Sequence, residues 1–310
     1  MRWRLPLAAF LALPVLVPAG LAWRAGFDGL YGQDAYAYFD YAVGPLTTAL
    51  RAGQLPPPFF WPPGYPLLVA LLAMATGPLP QVGQLISLLA GMLTVMATVW
   101  LAAAVWPWSS TRTVGAVLAG LLTACVGQLW QSSVVVMADT TGLAAATVGM
   151  AAWCRYGRPE APLQARWLTL AAVCLAFAVL TRWAYALAAL VVLGFTLAVW
   201  RRQPRRVVWR HALAAVLPAL IVLAPLGWSF LTGAVDPVSG RAAFAGNLQV
   251  YTWSPLNALR REFPTPDGLL RHRWPNGLWY ALAPAHRYYF TPALAPFLVV
   301  GGAAALRLVR

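Results

Sequence analysis

Long apolar runs separated by short polar joints dominate the chain. They cover residues 5–23, 82–106, 113–131, 138–155, 167–181, 183–200, 211–231 and 289–306. A helix needs ~20 residues to cross the hydrocarbon core of a bilayer, so this pattern predicts a series of membrane-spanning helices. Residues 167–200 are interrupted only by "LTRWAY". That stretch is too long for one crossing and just sufficient for two short ones, with Arg182 at the tip of the hairpin between them.

A ninth run, "PGYPLLVALLAMATG" at 63–77, is ambiguous. If it crossed the bilayer, every later loop would change sides and the clusters "RYGRPEAPLQAR" and "RRQPRR" would lie outside. Arginine-rich loops prefer the cytoplasm, which argues against that crossing. The thirteen or so helical residues of the run also rise only ~20 Å against a core of ~30 Å. A short helix lying at the outer surface resolves both points. The expected architecture is an all-α polytopic membrane protein with about eight spans and both ends inside. Residues 1–310 form a single membrane domain, with 24–81 as a first external loop carrying the surface helix and 232–287 as a second external loop.

Composition agrees with this placement. The chain is 61% hydrophobic and 10% charged, against roughly 25% charged in soluble domains. Its net charge of +14 comes from arginine alone, in clusters between apolar runs, which marks topology and a bilayer partner rather than nucleic acid. The absence of lysine reads as coding bias, although guanidinium forks also suit phosphates. The start, "MRWRLPLAAFLALPVLVPAGLAW", admits a signal peptide cut near Ala19 or an uncleaved first helix. The spans that follow favour the second. Cys125, Cys154 and Cys174 lie in apolar runs with no metal or redox spacing and receive no role.

The eight carboxylates are not scattered. On this topology Asp28, Asp34, Asp40, Asp139, Asp236, Glu262 and Asp267 fall outside and only Glu160 inside. Orientation follows Lys and Arg, so the bias has another origin: long polar outer loops account for some of these residues, and an external active site would account for the rest. No Ser/His/Asp set, metal-type histidine pair or phosphate-binding glycine loop is present, and His211, His272 and His286 are far apart in sequence. Asp34 and Asp139 remain as carboxylates at a membrane boundary, able to take a proton from a hydroxyl. "ADTTGLAAATVGMAAW" also resembles a helix start, so capping by Asp139 stands level with a functional role. If 34–42 is helical, Asp34, Tyr38 and Tyr41 share a face while Asp40 lies about 120° from Asp34, which argues against a shared-proton pair. The tyrosines Tyr36, Tyr38 and Tyr41 fit either an interfacial aromatic belt or a sugar platform.

"GQDAYAYFDYAVGPLTTALRAGQLPPPFFWPPGYPLLVALLAMATG" resembles the first external loop of GT-C glycosyltransferases, in particular the protein mannosyltransferase and lipid A aminoarabinose transferase branches. There an Asp is followed by aromatic residues and a Pro-rich surface helix. Asp34 matches the catalytic Asp, and "WPPGYPLL", which contains Tyr65, matches the helix. "VVVMADTTGLAAAT" is similar to the second external loop and points to Asp139. "AVLTRWAYALAAL" is similar to a later hairpin carrying a basic residue and points to Arg182. The matches keep their order over residues 1–200 and fade beyond.

The resemblance implies transfer of a sugar from a polyprenyl-phosphate-linked donor to a hydroxyl on a glycan, lipid or protein acceptor. It places the reaction at the extracytoplasmic face of the plasma membrane, as a single displacement with inversion. Asp34 would be the general base and Asp139 a second catalytic candidate. Tyr36, Tyr38, Tyr65 and Arg182 become candidate substrate-binding residues, with Arg241, Arg260, Arg261 and Arg287 as further phosphate-binding candidates. The visible motifs require no metal, though Asp34 and Asp139 together could hold one. The competing readings are a lipid or sugar transporter, which would place charges near mid-membrane, and a non-catalytic membrane subunit.

The topology is tested by a cysteine placed near Gly77 and not at it. It should react with an impermeant thiol reagent only from the outer side, whereas labelling from the cytoplasm makes 63–77 a true span.

Overall fold

The computed structural model describes residues 4–57, 59, 61–105, 111–157, 163–231, 262–265 and 268–271. The first apolar run is realised as α1 (Arg4–Ala12), a single 3₁₀ turn and α2 (Leu16–Arg24). Together they give the apolar stretch Pro6–Arg24, long enough to cross a membrane, as are Pro80–Val105, which is α6, and Arg205–Trp228 within α12 (Arg205–Leu231). The run at 113–131 is broken. Its halves α7 (Arg112–Ala124) and α8 (Gly127–Val134) meet at 58° and make a fourth crossing only as a bent pair.

Among the described residues, then, three or four crossings meet the requirements of length and apolarity, not the expected eight. The physical reason is length and composition. The helices α9 (Asp139–Tyr156), α10 (Ala165–Thr181) and α11 (Tyr185–Trp200) have 18, 17 and 16 residues. At ~1.5 Å per residue all three fall short of ~30 Å, and α9 is rich in Ala, Gly and Thr. The run at 289–306 lies outside the described residues. The architecture is all-α as expected, with one small addition. Within 232–287, β1 (Glu262–Thr265) and β2 (Gly268–Arg271) pair as an antiparallel hairpin, Glu262 opposite Arg271 and Thr265 opposite Gly268.

The helices pack around α9, which lies between α6 and α10; α12 covers the far side of α10, and α7, α8 and α1 cover α6. Small residues make this possible. Thr140, Thr141, Gly142, Ala144, Ala145, Gly149 and Ala152 of α9 are all buried. A Cβ on Gly149 would sit 2.9 Å from Leu175 Cγ and 3.2 Å from the Ala171 carbonyl, so α9 and α10 touch at the backbone. Outward-facing Leu187, Leu190, Phe195, Leu213, Leu217 and Ile221 on α11 and α12 are exposed, an apolar face matched to lipid. The chain is an integral multi-pass membrane protein.

The two ends of this bundle differ in chemistry. At one end Tyr156, His211 and Trp200 join α9, α12 and α11: the Trp200 indole donates to the Tyr156 oxygen at 2.8 Å, and Tyr156 meets His211 Nδ1 at 2.9 Å. The exposed arginines Arg201, Arg202, Arg205, Arg206 and Arg210 lie beside this network. The other end carries the first loop, built from α3 (Gly32–Tyr41), a π turn (Ala42–Leu46), α4 (Thr47–Arg51) and α5 (Gly64–Thr76).

With thirteen residues, α5 is too short to span. It buries Tyr65, Val69, Ala70 and Ala73 along one face. Gly77, at φ 97°, ends it in a conformation that favours glycine. Its first residue, Gly64, meets the end of α10 so closely that a Cβ would lie 2.7 Å from the Leu180 carbonyl oxygen. Substituting Ala at Gly64 should therefore destabilise the protein by about 1–3 kcal/mol through forced backbone movement. Gly20→Ala, where a Cβ meets nothing within 4 Å, should be neutral or stabilising. Thermal unfolding of both variants in detergent checks the contrast.

Candidate functional site

Three hydrogen bonds with α6 fix where α9 begins. The Gln84 amide donates to the Val134 carbonyl at 2.9 Å, Ser87 Oγ donates to the Met137 carbonyl at 3.2 Å, and Thr140 Oγ1 donates to the Ser87 carbonyl at 3.1 Å. Asp139 is then the first residue of α9, with Ala138 as the N-cap and no side-chain capping bond. The carboxylate is free of the role that its position in sequence suggested. It pairs instead with the Arg182 guanidinium.

Arg182 reaches it because α10 stops at Thr181 and Arg182 turns extended, with its own N–H still bonded to Ala178. The close approach of α9 to this turn depends on Gly142. A Cβ there would lie 2.5 Å from the Tyr185 ring and 2.8 Å from Thr181 Oγ1. The ion pair is partly exposed, 43% for Arg182 and 29% for Asp139, so it adds at most about 1 kcal/mol of stability. Its significance is positional: it holds a cation at a fixed point.

That cation also acts on the first loop. Partial desolvation pushes the Asp34 pKa above its ordinary value of 3.8, and the charge of Arg182 pulls it partway back. Burial likewise raises the Tyr38 phenol, again offset by Arg182, with Asp34 raising it further. Asp34, Tyr38, Asp139 and Arg182 therefore converge from α3, α9 and the α10–α11 turn. Asp34 keeps solvent contact at the start of α3, and Asp40 is exposed on the same helix.

Next to the ion pair lies a cavity of about 540 Å³. Its walls are Asp139, Thr140 and Leu143 of α9, Arg182 and Tyr185 of the turn, and Thr123, Val126, Gln128, Leu129 and Ser132 of the α7–α8 elbow. Its size falls within the ~300–1,000 Å³ of small-molecule sites. The elbow is held by the Trp130 indole, which donates to the Ala124 carbonyl at 2.6 Å and satisfies an acceptor left free where α7 ends. Asp34 does not line this cavity; Arg182 links the two.

The tyrosines divide. Tyr36 is exposed, while Tyr38 is only 4% exposed and stacks on Trp61 with centroids 4.8 Å apart. Tyr41 stacks on Phe59 at 3.9 Å and its hydroxyl donates to the Pro57 carbonyl at 2.6 Å. Tyr65 is fully buried, with its hydroxyl 2.9 Å from the Gly83 carbonyl and 3.0 Å from Ser87 Oγ. Tyr38 and Tyr41 stand in an aromatic core that packs Phe59, Trp61 and Tyr65 onto α3. Tyr65, expected to contact substrate, has its hydroxyl turned inward, where it joins α5 to α6.

Arg241, Arg260, Arg261 and Arg287 lie outside the described residues. Among the described residues no three His, Cys, Asp or Glu side chains gather as metal ligands. The cavity residues Gln128, Ser132 and Tyr185 were missed by reasoning from sequence. The signal for the first two was "GQLWQSS" at 127–133, a polar stretch that begins inside the apolar run at 113–131.

The model of a family described as dolichyl-phosphate-mannose-protein mannosyltransferase matches residues 82–236, which include Asp139, Arg182 and the whole cavity. No curated protein and no solved structure matches the chain.

Because its folded-state pKa is raised, ionised Asp34 opposes folding. Relative to a neutral group, its contribution is nil below the unfolded value and becomes fully unfavourable as pH rises through the folded one. Asp34→Asn should therefore melt at a higher temperature than the parent at pH 7, and the margin should shrink as pH falls toward 4. Parallel melts at the two pH values check the sign.

Proposed function

The chain belongs to the dolichyl-phosphate-mannose-protein mannosyltransferase family, membrane glycosyltransferases that use a polyprenyl-phosphate sugar donor, and we propose from this premise how its own residues carry out the transfer. The observation that carries the reading is the single guanidinium, Arg182, paired with Asp139 while its charge also acts on Asp34. A cation beside a carboxylate whose proton affinity is raised has the parts that glycosyl transfer from a phosphodiester requires.

The acceptor hydroxyl approaches Asp34. As its oxygen attacks the anomeric carbon, its proton passes to the Asp34 carboxylate. The bond from that carbon to the phosphate oxygen breaks with its electron pair, leaving polyprenyl monophosphate. Attack from the face opposite the departing phosphate inverts the anomeric centre. Arg182 stabilises the charge that grows on the leaving phosphate. A guanidinium has five N–H donors in a planar fork, so it can keep Asp139 on one edge and receive phosphate on another. Asp139 positions Arg182. Asp34 serves as base only when ionised, and its raised pKa makes it a stronger base than a solvated carboxylate.

The extracytoplasmic placement of the site, in a plasma membrane, is supported by the arginine clusters at the opposite end of the bundle. The acceptor is a glycan, lipid or protein hydroxyl, the last being the class named in the family's description. Convergence of Asp34, Asp139 and Arg182 at one end of the helices favours an interfacial enzyme over a transporter with mid-membrane charges.

Membranes containing the full chain should transfer label from polyprenyl-phosphate sugars. Asp34→Asn should abolish transfer, and Arg182→Gln should lower it on the order of 10²–10³-fold. Transfer by Asp34→Asn at the parent rate, or no transfer by the parent from any such donor, overturns the assignment.

In kcat/KM against pH, the acid limb should fall above the ordinary carboxylate value of 3.8. In any residual activity of Arg182→Gln it should move to still higher pH, because the charge that lowers the Asp34 pKa has gone.

A further inference from the structure

The elbow between α7 and α8 turns neutral polar side chains toward the ion pair in a stretch that a straight span would make apolar. Gln128 and Ser132 lie one turn apart on α8 and both line the cavity whose other walls carry Asp139 and Arg182. The two are joined by a hydrogen bond of 3.5 Å, at the long limit, and make no other among the described residues. A carboxamide and a hydroxyl thus stand with donors and acceptors unspent, facing a cation across a volume large enough for a small molecule.

We propose that Gln128 and Ser132 form the subsite that binds the hydroxyl groups of the donor's sugar, and so set which sugar the protein accepts. The inference rests on the reading of Arg182 as the phosphate's partner. The sugar is attached directly to that phosphate, so its ring lies within a few ångströms of the guanidinium, and this cavity adjoins it. A charged wall would suit a second anion and an apolar wall a lipid chain. Side chains that both donate and accept, without charge, match a ring bearing several hydroxyls. Specificity of this kind is strong because a sugar lacking the matching hydroxyl leaves the protein's own polar groups unpaired.

The test separates sugar recognition from catalysis by measuring binding as well as transfer. The full chain carrying Asp34→Asn, in nanodiscs, is titrated with polyprenyl-phosphate mannose, its glucose and galactose counterparts, and polyprenyl phosphate without sugar. At least one sugar-bearing lipid should bind about tenfold tighter than the bare lipid phosphate, the scale of one or two net hydrogen bonds. Adding Gln128→Leu and Ser132→Ala should collapse that difference while leaving affinity for the bare phosphate unchanged. In the otherwise unaltered chain the same pair should level the kcat/KM values among the sugars, and Ser132→Thr should retain part of the preference.

A sugar-dependent affinity gap that survives Gln128→Leu with Ser132→Ala overturns the inference while leaving the transfer reaction intact. A gap that those changes abolish, in a protein that transfers no label, supports the subsite and overturns the enzymatic reading instead. No gap in the Asp34→Asn protein overturns the inference whether or not transfer occurs.

Discussion

Everything at the functional end of the bundle depends on how close α9 comes to the α10–α11 turn. Gly142 sets that distance, since a single added carbon would collide with Tyr185 and Thr181. At this separation Arg182 meets Asp139 across the gap and its charge reaches Asp34. The pair is too exposed to stabilise the fold appreciably, so its geometry is secured by helix packing and not by its own attraction. Packing at small residues is well suited to this task in a membrane, where there is little hydrophobic force between helices and backbone contact supplies the precision.

The first loop is tied to the same point from the other side. Gly64 seats α5 on the end of α10, Tyr65 fastens it to α6, and the aromatic cluster of Tyr38, Tyr41, Phe59 and Trp61 fastens α3 to the approach to α5. Asp34 is thus held by interactions several residues away from it. Aromatic groups read as lipid-facing or ligand-facing from sequence work here as internal struts, and their rigidity keeps a carboxylate beside a cation without a direct bond between them.

Much of this end was legible in the sequence, for identifiable reasons. The shortness of α5 followed from the distribution of arginines, which records membrane orientation over the whole chain. Asp34, Asp139 and Arg182 were singled out through motif resemblance, and the fold pairs the last two. Local pattern failed where one signature serves two environments. A tyrosine near a membrane boundary looks the same whether it faces headgroups or a protein core, and an Asp at a helix start looks the same whether it caps or pairs outward. The bend between α7 and α8 was hidden because hydropathy averaged over 113–131 conceals a polar face on eight residues. The shortfall in α10 and α11 shows a related limit: apolar composition marks a helix for lipid without fixing how far it reaches.

The double anchoring of α5 has a mechanical consequence. Fastened to α6 at one point and to α10 at another, α5 cannot shift without carrying the α10–α11 turn or breaking a buried contact. The side of the cavity formed by α9 and that turn therefore behaves as a fixed jaw. On the facing side, α8 is a single short helix joined to α7 through a two-residue bend, and much of it is solvent-accessible. Widening the cavity therefore costs less on that thinner jaw, hinged at the elbow, than on the anchored one.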